Sequence, residues 1–518
     1  LFVWNVDKRF GGVRPIEPDT VQHLFQNSNQ MTGVYGNYNF LGGLGSPRIN
    51  RIYDGQQDFM MGSQFIFVKP YSFFLFPTDK FVFTNTKSPI ADLYYYSSGD
   101  KTDGDDHFKA RFATNINKKA GIGFDIDYLY ARGFYRNQSH SSFGATVYGS
   151  YRDDQYHSFY TTGYTKNLEN GGIEDENYIS NPESFPTTYR PADMPMRLEG
   201  VRNNVSVDKA FLTHRYSFGF YEKTDSTGRV VSRSLKAKAD SITAVKLAQV
   251  AGKTEKSIPD SLLITRFVPV ASIIHTANVE TNYRTFTSQR NIDKYFISNP
   301  FLSGEVANDS THYLSVQNTL ALEMREGFRK WVKTGMIVFA KHELARFTLP
   351  NTKGTYDATT TNYFTLGAQL HRAQSKHFRY NVLGEMRTTG SDWGEFNVEG
   401  QAGLHFKLWG DTLALETGGF IRNETPAFYY QTYHSRYAWW DENLNKIFRA
   451  RAEGTLSFHK AKLKVGIESI QNYVYLQETQ EDGDNATLAT RKYGVEVGQS
   501  SDNIQVLSAT LSHALRWG

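Results

Sequence analysis

Residues 395–408 decide the fold: Glu395-Phe396-Asn397-Val398-Glu399-Gly400-Gln401-Ala402-Gly403-Leu404-His405-Phe406-Lys407-Leu408. Phe396, Val398, Ala402, Leu404, Phe406 and Leu408 share one parity. Glu395, Asn397, Glu399, Gln401, Gly403, His405 and Lys407 share the other. A helix cannot sort these residues, because alternate positions lie about 200° apart and scatter round the cylinder. A strand sorts them onto two faces, and neither face is mixed.

The same period recurs along the chain. Phe108, Ala110, Phe112 and Ile116 oppose His107, Lys109, Arg111 and Asn115. Ile122, Phe124, Ile126, Tyr128 and Tyr130 oppose Gly121, Gly123, Asp125 and Asp127. Phe448, Ala450, Ala452, Leu456 and Phe458 oppose Arg449, Arg451, Glu453, Thr455 and Ser457, and Leu463, Val465 and Ile467 oppose Lys462, Lys464, Gly466 and Glu468. From Pro89 onward the alternation predicts roughly 16 to 18 strands. Their expected spans are 89–98, 106–116, 120–132, 141–151, 155–165, 209–222, 262–286, 312–325, 332–346, 361–373, 377–388, 395–408, 411–422, 446–458, 461–477 and 503–517. The 262–286 stretch is long enough to bend or split.

Many of these segments reach about ten residues, the length that crosses a bilayer at a tilt, against ~5 to 6 for soluble strands. Asn117-Lys118-Lys119, Trp409-Gly410-Asp411 and His459-Lys460-Ala461 are tight connections, whereas 169–203 and 223–258 are long and polar. Short turns on one side and long loops on the other are the layout of an outer-membrane barrel. A soluble sandwich or propeller also alternates, but its strands are shorter, its polar faces carry fewer charges, and a propeller repeats every ~40 to 50 residues. No such repeat is visible.

Composition agrees. The chain has 518 residues, with 32 Tyr, 37 Phe and 42 Gly, and aromatics make up 15%. Mean hydropathy is −0.51, and no stretch of about 18 uninterrupted apolar residues exists, so membrane-spanning helices are excluded. Lys and Arg number 57 against 53 Asp and Glu, a formal net charge of +4, which gives no reason to expect nucleic acid. Cys is 0, which removes disulfide frameworks, thiolate metal sites and cysteine nucleophiles together.

Residues 1–85 are less regular, with Gly11-Gly12, Gly42-Gly43, Pro70 and Pro77. They are expected to form an N-terminal periplasmic or lumenal, plug-like segment with one or two early strands near Phe59 to Phe76, ahead of a barrel over 86–518. Leu235 to Ala251 predicts a short surface helix. The start at Leu1-Phe2-Val3-Trp4 is read as following a removed signal, and the end at Arg516-Trp517-Gly518 as a strand that continues.

Chemistry-bearing motifs are sparse. The 14 His are spread thinly, and Ser139-His140-Ser141-Ser142 reads as a polar loop. Neither GxSxG at a plausible nucleophile nor HExxH occurs. Asp100-Lys101-Thr102-Asp103-Gly104-Asp105-Asp106 begins like a calcium loop, but Arg111 stands where the twelfth-position Glu belongs. No catalytic residue, cofactor or metal is expected.

Several stretches resemble the "putative porin" family of outer-membrane proteins from Bacteroidota-type bacteria. They are Asn85-Thr86-Lys87-Ser88-Pro89 running into Leu93-Tyr94-Tyr95-Tyr96, Gly123-Phe124-Asp125 through Tyr128-Leu129-Tyr130-Ala131-Arg132-Gly133-Phe134-Tyr135, and Glu169-Asn170-Gly171-Gly172-Ile173 followed by Tyr189-Arg190-Pro191-Ala192-Asp193. The resemblance implies an outer-membrane β-barrel, in members typically longer than this chain. It implies little about the solute.

The expected function is passive diffusion of small hydrophilic solutes through a polar lumen, filtered by size and charge. Lys109, Arg111, Asp125, Asp127, Glu399, Lys407, Arg449, Arg451, Glu453, Lys462, Lys464 and Glu468 are the candidate lumen-lining residues. The competing expectation is that these charges pair with each other or with the N-terminal segment, in a plugged structural barrel of a larger outer-membrane assembly. Expected partners are outer-membrane lipid and lipopolysaccharide, then other outer-membrane proteins. Tyr94-Tyr95-Tyr96, Phe134-Tyr135, Tyr429-Tyr430 and Trp439-Trp440 are read as interface girdles, with Trp439-Trp440 also a possible platform for sugar rings.

Overall fold

The computed structural model describes residues 2–17, 38–40, 47–50, 64–74, 81–98, 104–133, 138–153, 156–170, 198, 200–224, 230–234, 264–390, 392–482 and 491–513. The helix expected over Leu235–Ala251, Asp100–Asp103 and Phe134-Tyr135 lie outside them.

At the N-terminus β1 (Phe2–Val6) pairs with β2 (Val13–Ile16), β3 (Tyr38–Phe40) pairs with β4 (Arg48–Asn50), and β5 (Phe83–Asn85) pairs with the other edge of β1. The early strands expected near Phe59 to Phe76 are instead a 3-10 helix, Ile66–Phe74. Pro70 at its centre has no N–H to give a ladder, which suits a short helix better than a paired strand.

The large sheet begins with β6 (Ile90–Ser98), β7 (Asp105–Asn115), β8 (Ala120–Arg132), β9 (Ser139–Arg152), β10 (Tyr156–Asn170) and β11 (Val201–Thr224). A short β12 (Val230–Ser234) flanks the end of β11. The sheet continues through β13 (Ile264–Ser288), β14 (Asn308–Met324), β15 (Gly335–Pro350), β16 (Tyr356–Arg372), β17 (Phe378–Arg387), β18 (Phe396–Leu408) and β19 (Asp411–Glu424). Loop hairpin β20 (Thr432–Ser435) with β21 (Ala438–Asp441) precedes β22 (Ile447–Phe458) and β23 (Ala461–Gln471). A second hairpin, β24 (Val474–Glu481) with β25 (Lys492–Gln499), precedes β26 (Ile504–His513). Every neighbour pair from β6 to β26 is antiparallel.

Several boundaries differ from expectation: β11 begins at Val201 where 209 was expected, and Ser139-His140-Ser141-Ser142, expected as a loop, opens β9. The span 262–286 does not split: β13 pairs with β11 along its whole length, with one irregularity at Phe218/Gly219. The span 461–477 does split, because Asn472 takes φ 57° and ends β23. The Trp409-Gly410 turn has φ 49° and 85°, and two positive φ values match the right-handed twist of the strands it joins.

The sheet is apolar outside and polar inside. Ile467 is 55% exposed while its neighbour Glu468 is 1% exposed. Leu322, Leu366 and Val398 are exposed, while Glu323, Thr365 and Asn397, one residue away, are buried. A water-facing sheet would place these parities the other way round.

The spatial order brings β26 round to β6, as in a barrel, but no register between them is described. Leu93 on β6 and Leu507 on β26 are 72% and 76% exposed, against 42% for Leu463 within the sheet. A side chain flanked by strands on both sides cannot be so bare. The barrel is thus not closed along this seam by the described residues.

Candidate functional site in the sheet interior

The interior site starts from the β1–β2 hairpin. Asp7 Oδ1 accepts hydrogen bonds from the backbone N–H groups of Arg9 and Phe10, and Gly11 takes φ 62°. These constraints make a rigid tip that points Arg9 and Phe10 at the concave wall. Phe10 is buried against Ile274, Ala321, Phe339 and Leu383. Arg215 Nη2 donates to the Phe10 carbonyl at 2.9 Å, and Glu323 holds Arg215 from the other side. Trp4, Val6, Phe81 and Phe83 pack against Ala113, Tyr148 and Phe211 of β7, β9 and β11.

Farther along, the 3-10 helix sets Phe65 and Tyr71 in an aromatic cluster with Tyr313, Phe347, Tyr363, Tyr429 and Tyr433. Lys69 Nζ lies 3.3 Å from the Tyr430 hydroxyl, and burial pushes its amine down to about 8. Tyr429, Tyr430, Trp439 and Trp440 are therefore no girdle. Tyr429 is fully buried, and Trp440 donates its Nε1–H to the Tyr429 carbonyl. Trp439 stacks on His434 at 3.9 Å with Phe301 also against it at 4.7 Å, so it presents no bare platform to a sugar. Tyr95 does face outward and is exposed.

The sequence candidates fall into three groups. On β7 and β8, Lys109 pairs with Asp127 at 3.2 Å and Arg111 with Asp125 at 3.6 Å. His107 Nε2 is 2.7 Å from Asp127, and Arg111 also donates to the Val82 carbonyl at 2.8 Å, tying this group to the N-terminal segment. On β22 and β23, Glu468 accepts from Arg449 Nε at 2.8 Å and Arg451 Nη1 at 3.3 Å. Glu453 holds Arg451 at 2.9 Å and Lys464 at 3.2 Å. Glu399 belongs to a third group, with Arg422 at 3.0 Å and Arg9 at 3.1 Å. Lys407 and Lys462 are exposed and have no ion pair among the described residues.

Sequence reasoning missed Arg9, Glu385, Lys341 and Arg422, the partners that complete the third group. Arg9 Nη2 reaches Glu385 at 3.3 Å, and Lys341 lies 3.7 Å from the same carboxylate. Glu385, Lys341 and Arg422 share the inward parity of their strands, so alternation could have found them. Arg9 carries no such signal.

Between the hairpin tip and the wall lies a cavity of about 290 Å³, lined by Lys8, Arg9 and Phe10 and by residues of β11, β13, β14, β15 and β17. Among the described residues no helix is long and apolar enough to cross a membrane.

An apolar exterior, a charged interior and long antiparallel strands define a protein of the outer-membrane β-barrel class. The chain belongs to the family described as "Putative porin", whose sequence profile matches residues 1–518. No curated protein matches it in sequence. In structure it is similar to the siderophore receptor PirA from Acinetobacter baumannii, with 9% identity, 84% of this chain and 61% of that chain covered, and a TM-score of 0.51. It is also similar to a mutant of the ferric enterobactin receptor PfeA from Pseudomonas aeruginosa, with 7% identity, 83% and 60% covered, and a TM-score of 0.51. At these identities the likeness concerns fold alone. The chain spans about three fifths of the length of either receptor.

Proposed function

We propose that this chain is a transport barrel of the bacterial outer membrane, held closed by its own N-terminal segment and passing small hydrophilic solutes when that segment is displaced. The apolar exterior contacts lipid, and lipopolysaccharide in the outer leaflet. The observation that carries the reading is the seating of Arg9 and Phe10 on the interior wall. A permanently open porin needs its inward charges bathed in water. Here Arg449, Arg451, Glu453 and Glu468 are spent on one another, and Arg111 on the N-terminal segment.

A disulfide lock tests the reading. A Cβ built on Gly11 would stand 3.2 Å from the Thr213 Cβ, a few tenths of an ångström inside the ~3.5 to 4.5 Å span of a disulfide, and Thr213→Cys removes one of the two Thr213 atoms, Oγ1 and Cγ2, that such a Cβ would strike. The chain has 0 Cys, so Gly11→Cys with Thr213→Cys would carry the only thiols. Single-channel recording in a planar bilayer should show openings in the wild-type chain, silence in the oxidised double variant, and openings again after reduction. Equal conductance in locked and reduced protein would refute gating by the hairpin. Silence throughout, in protein folded by its heat-modifiable gel shift, would favour the closed structural barrel of a larger assembly.

A further inference from the structure

We propose that the cavity behind the hairpin tip is a binding site for a small organic anion bearing carboxylates. This deepens the transport reading by naming a solute class for its interior.

The walls carry four cations, Lys8, Arg9, Lys209 and Lys341, and two carboxylates, Glu280 and Glu385. Lys209 is paired with Glu280 at 3.3 Å. Glu385 is shared between Arg9 and Lys341, the latter at a loose 3.7 Å. Lys8 has no ion pair among the described residues. Behind these, Glu399 is shared by Arg9 and Arg422, and Glu343, bonded to Ser315, faces Arg387. Positive charge is thus in surplus at the cavity itself. The cation left over is Lys8, exposed beside the cavity, and a bound anion gives it and the loosely held Lys341 a partner.

One wall is apolar. Phe10 and Phe339 meet edge to face at 5.1 Å beside the ammonium groups. A carbon skeleton fits there and a bare inorganic ion gains nothing from it. The volume of about 290 Å³ sits at the lower end of the ~300 to 1,000 Å³ usual for small-molecule sites. It suits a metabolite of a few carbons and is far too small for a siderophore or peptide.

The position also matters. An anion at Arg9 competes with Glu385 and Glu399 for the guanidinium that holds the hairpin tip. Binding would therefore loosen the tip, so that the solute weakens its own barrier.

Succinate, with its diamide succinamide as the uncharged match, is the probe. Titration calorimetry on the full chain folded in detergent should show one succinate per chain and no succinamide binding. Lys209→Gln with Lys341→Gln should weaken succinate at least about tenfold, the scale of losing charged hydrogen bonds. Lys8→Gln, at an exposed residue whose loss leaves the fold intact, should weaken it roughly threefold, as for one solvent-facing ion pair. Absent succinate binding in folded protein, equal binding of the diamide, or unchanged affinity in all these variants would overturn the proposal. Because the titration needs no open pathway, it stands apart from the conductance test.

Discussion

Arg9 and Glu385 are 376 residues apart in sequence and 3.3 Å apart in space. The pair joins the tip of a short N-terminal hairpin to the far wall of the sheet. Such a contact cannot matter to the sheet's own register, which adjacent hairpins already set. It matters to whether the hairpin stays. Arg9 is partly exposed, so the pair contributes on the order of 1 kcal/mol or less. In a two-state equilibrium that energy still shifts populations by roughly fivefold.

Arg9→Gln is therefore expected to raise single-channel open probability about three- to fivefold while leaving the heat-modification midpoint nearly unchanged. Glu385→Gln should raise it less, since Arg9 then keeps Glu399, and the double variant should add little to Arg9→Gln. Additive effects in the double-variant cycle would show that the two residues act separately.

Gly11 makes the steric counterpart of that contact. Its φ of 62° disfavours any Cβ, and a Cβ would stand 2.3 Å from Thr213 Oγ1. Gly11→Ala should unseat the tip at a cost of about 1 to 3 kcal/mol. Limited trypsin digestion should then cleave at Lys8 or Arg9 in the variant while the wild-type chain resists. If the variant is as resistant as wild type, the tip is not wedged against Thr213.

Glu468 is predicted to act on stability and not on selectivity. It is 1% exposed and bridges Arg449 and Arg451. Glu468→Gln takes from Arg449 and Arg451 the buried carboxylate they share, although Arg451 keeps Glu453, a loss of about 3 to 5 kcal/mol. The gel-shift midpoint should fall steeply, whereas ion selectivity of any remaining folded channels should not move. A change of selectivity at unchanged stability would instead place Glu468 in contact with the permeating solute.

These pairings mark how far the sequence could be read. The alternation in 395–408 maps onto β18, Phe396–Leu408, almost residue for residue, because period two has one structural meaning. The β22–β23 pairings were within reach too. The tight turn at His459-Lys460 sets Phe458 opposite Ala461, and counting back places Arg451 opposite Glu468. Lys109 opposite Asp127 follows in the same way from the turn after β7. The third group was out of reach. Arg9 meets Glu399 across 390 residues, and nothing local encodes that distance. The aromatic pairs misled for a related reason. Tyr429-Tyr430 and Trp439-Trp440 have girdle chemistry, but they lie in a connection folded back over the 3-10 helix, which residue type alone does not reveal.

The connection between β13 and β14 is pinned to the one between β19 and β22 by Arg436 and Asp293, whose closest atoms are 2.7 Å apart. Burial raises the Asp293 pKa, but hydrogen bonds from Arg436, Tyr437 and Asn291 outweigh it and hold the carboxyl below its usual range. A carboxyl lowered in the folded state binds fewer protons there than when released. Its contribution is thus complete above the released value of about 4, and it fades as pH falls through the lowered folded value. The chain has 0 Cys, so a dye on Ser303→Cys, in the same exposed connection, reports on that connection. Its anisotropy should stay level from neutral pH to about 4 and drop below it. With Asp293→Asn added, it should be low throughout. An anisotropy that stays level well below about pH 4 in the unsubstituted chain would overturn the Asp293 anchor.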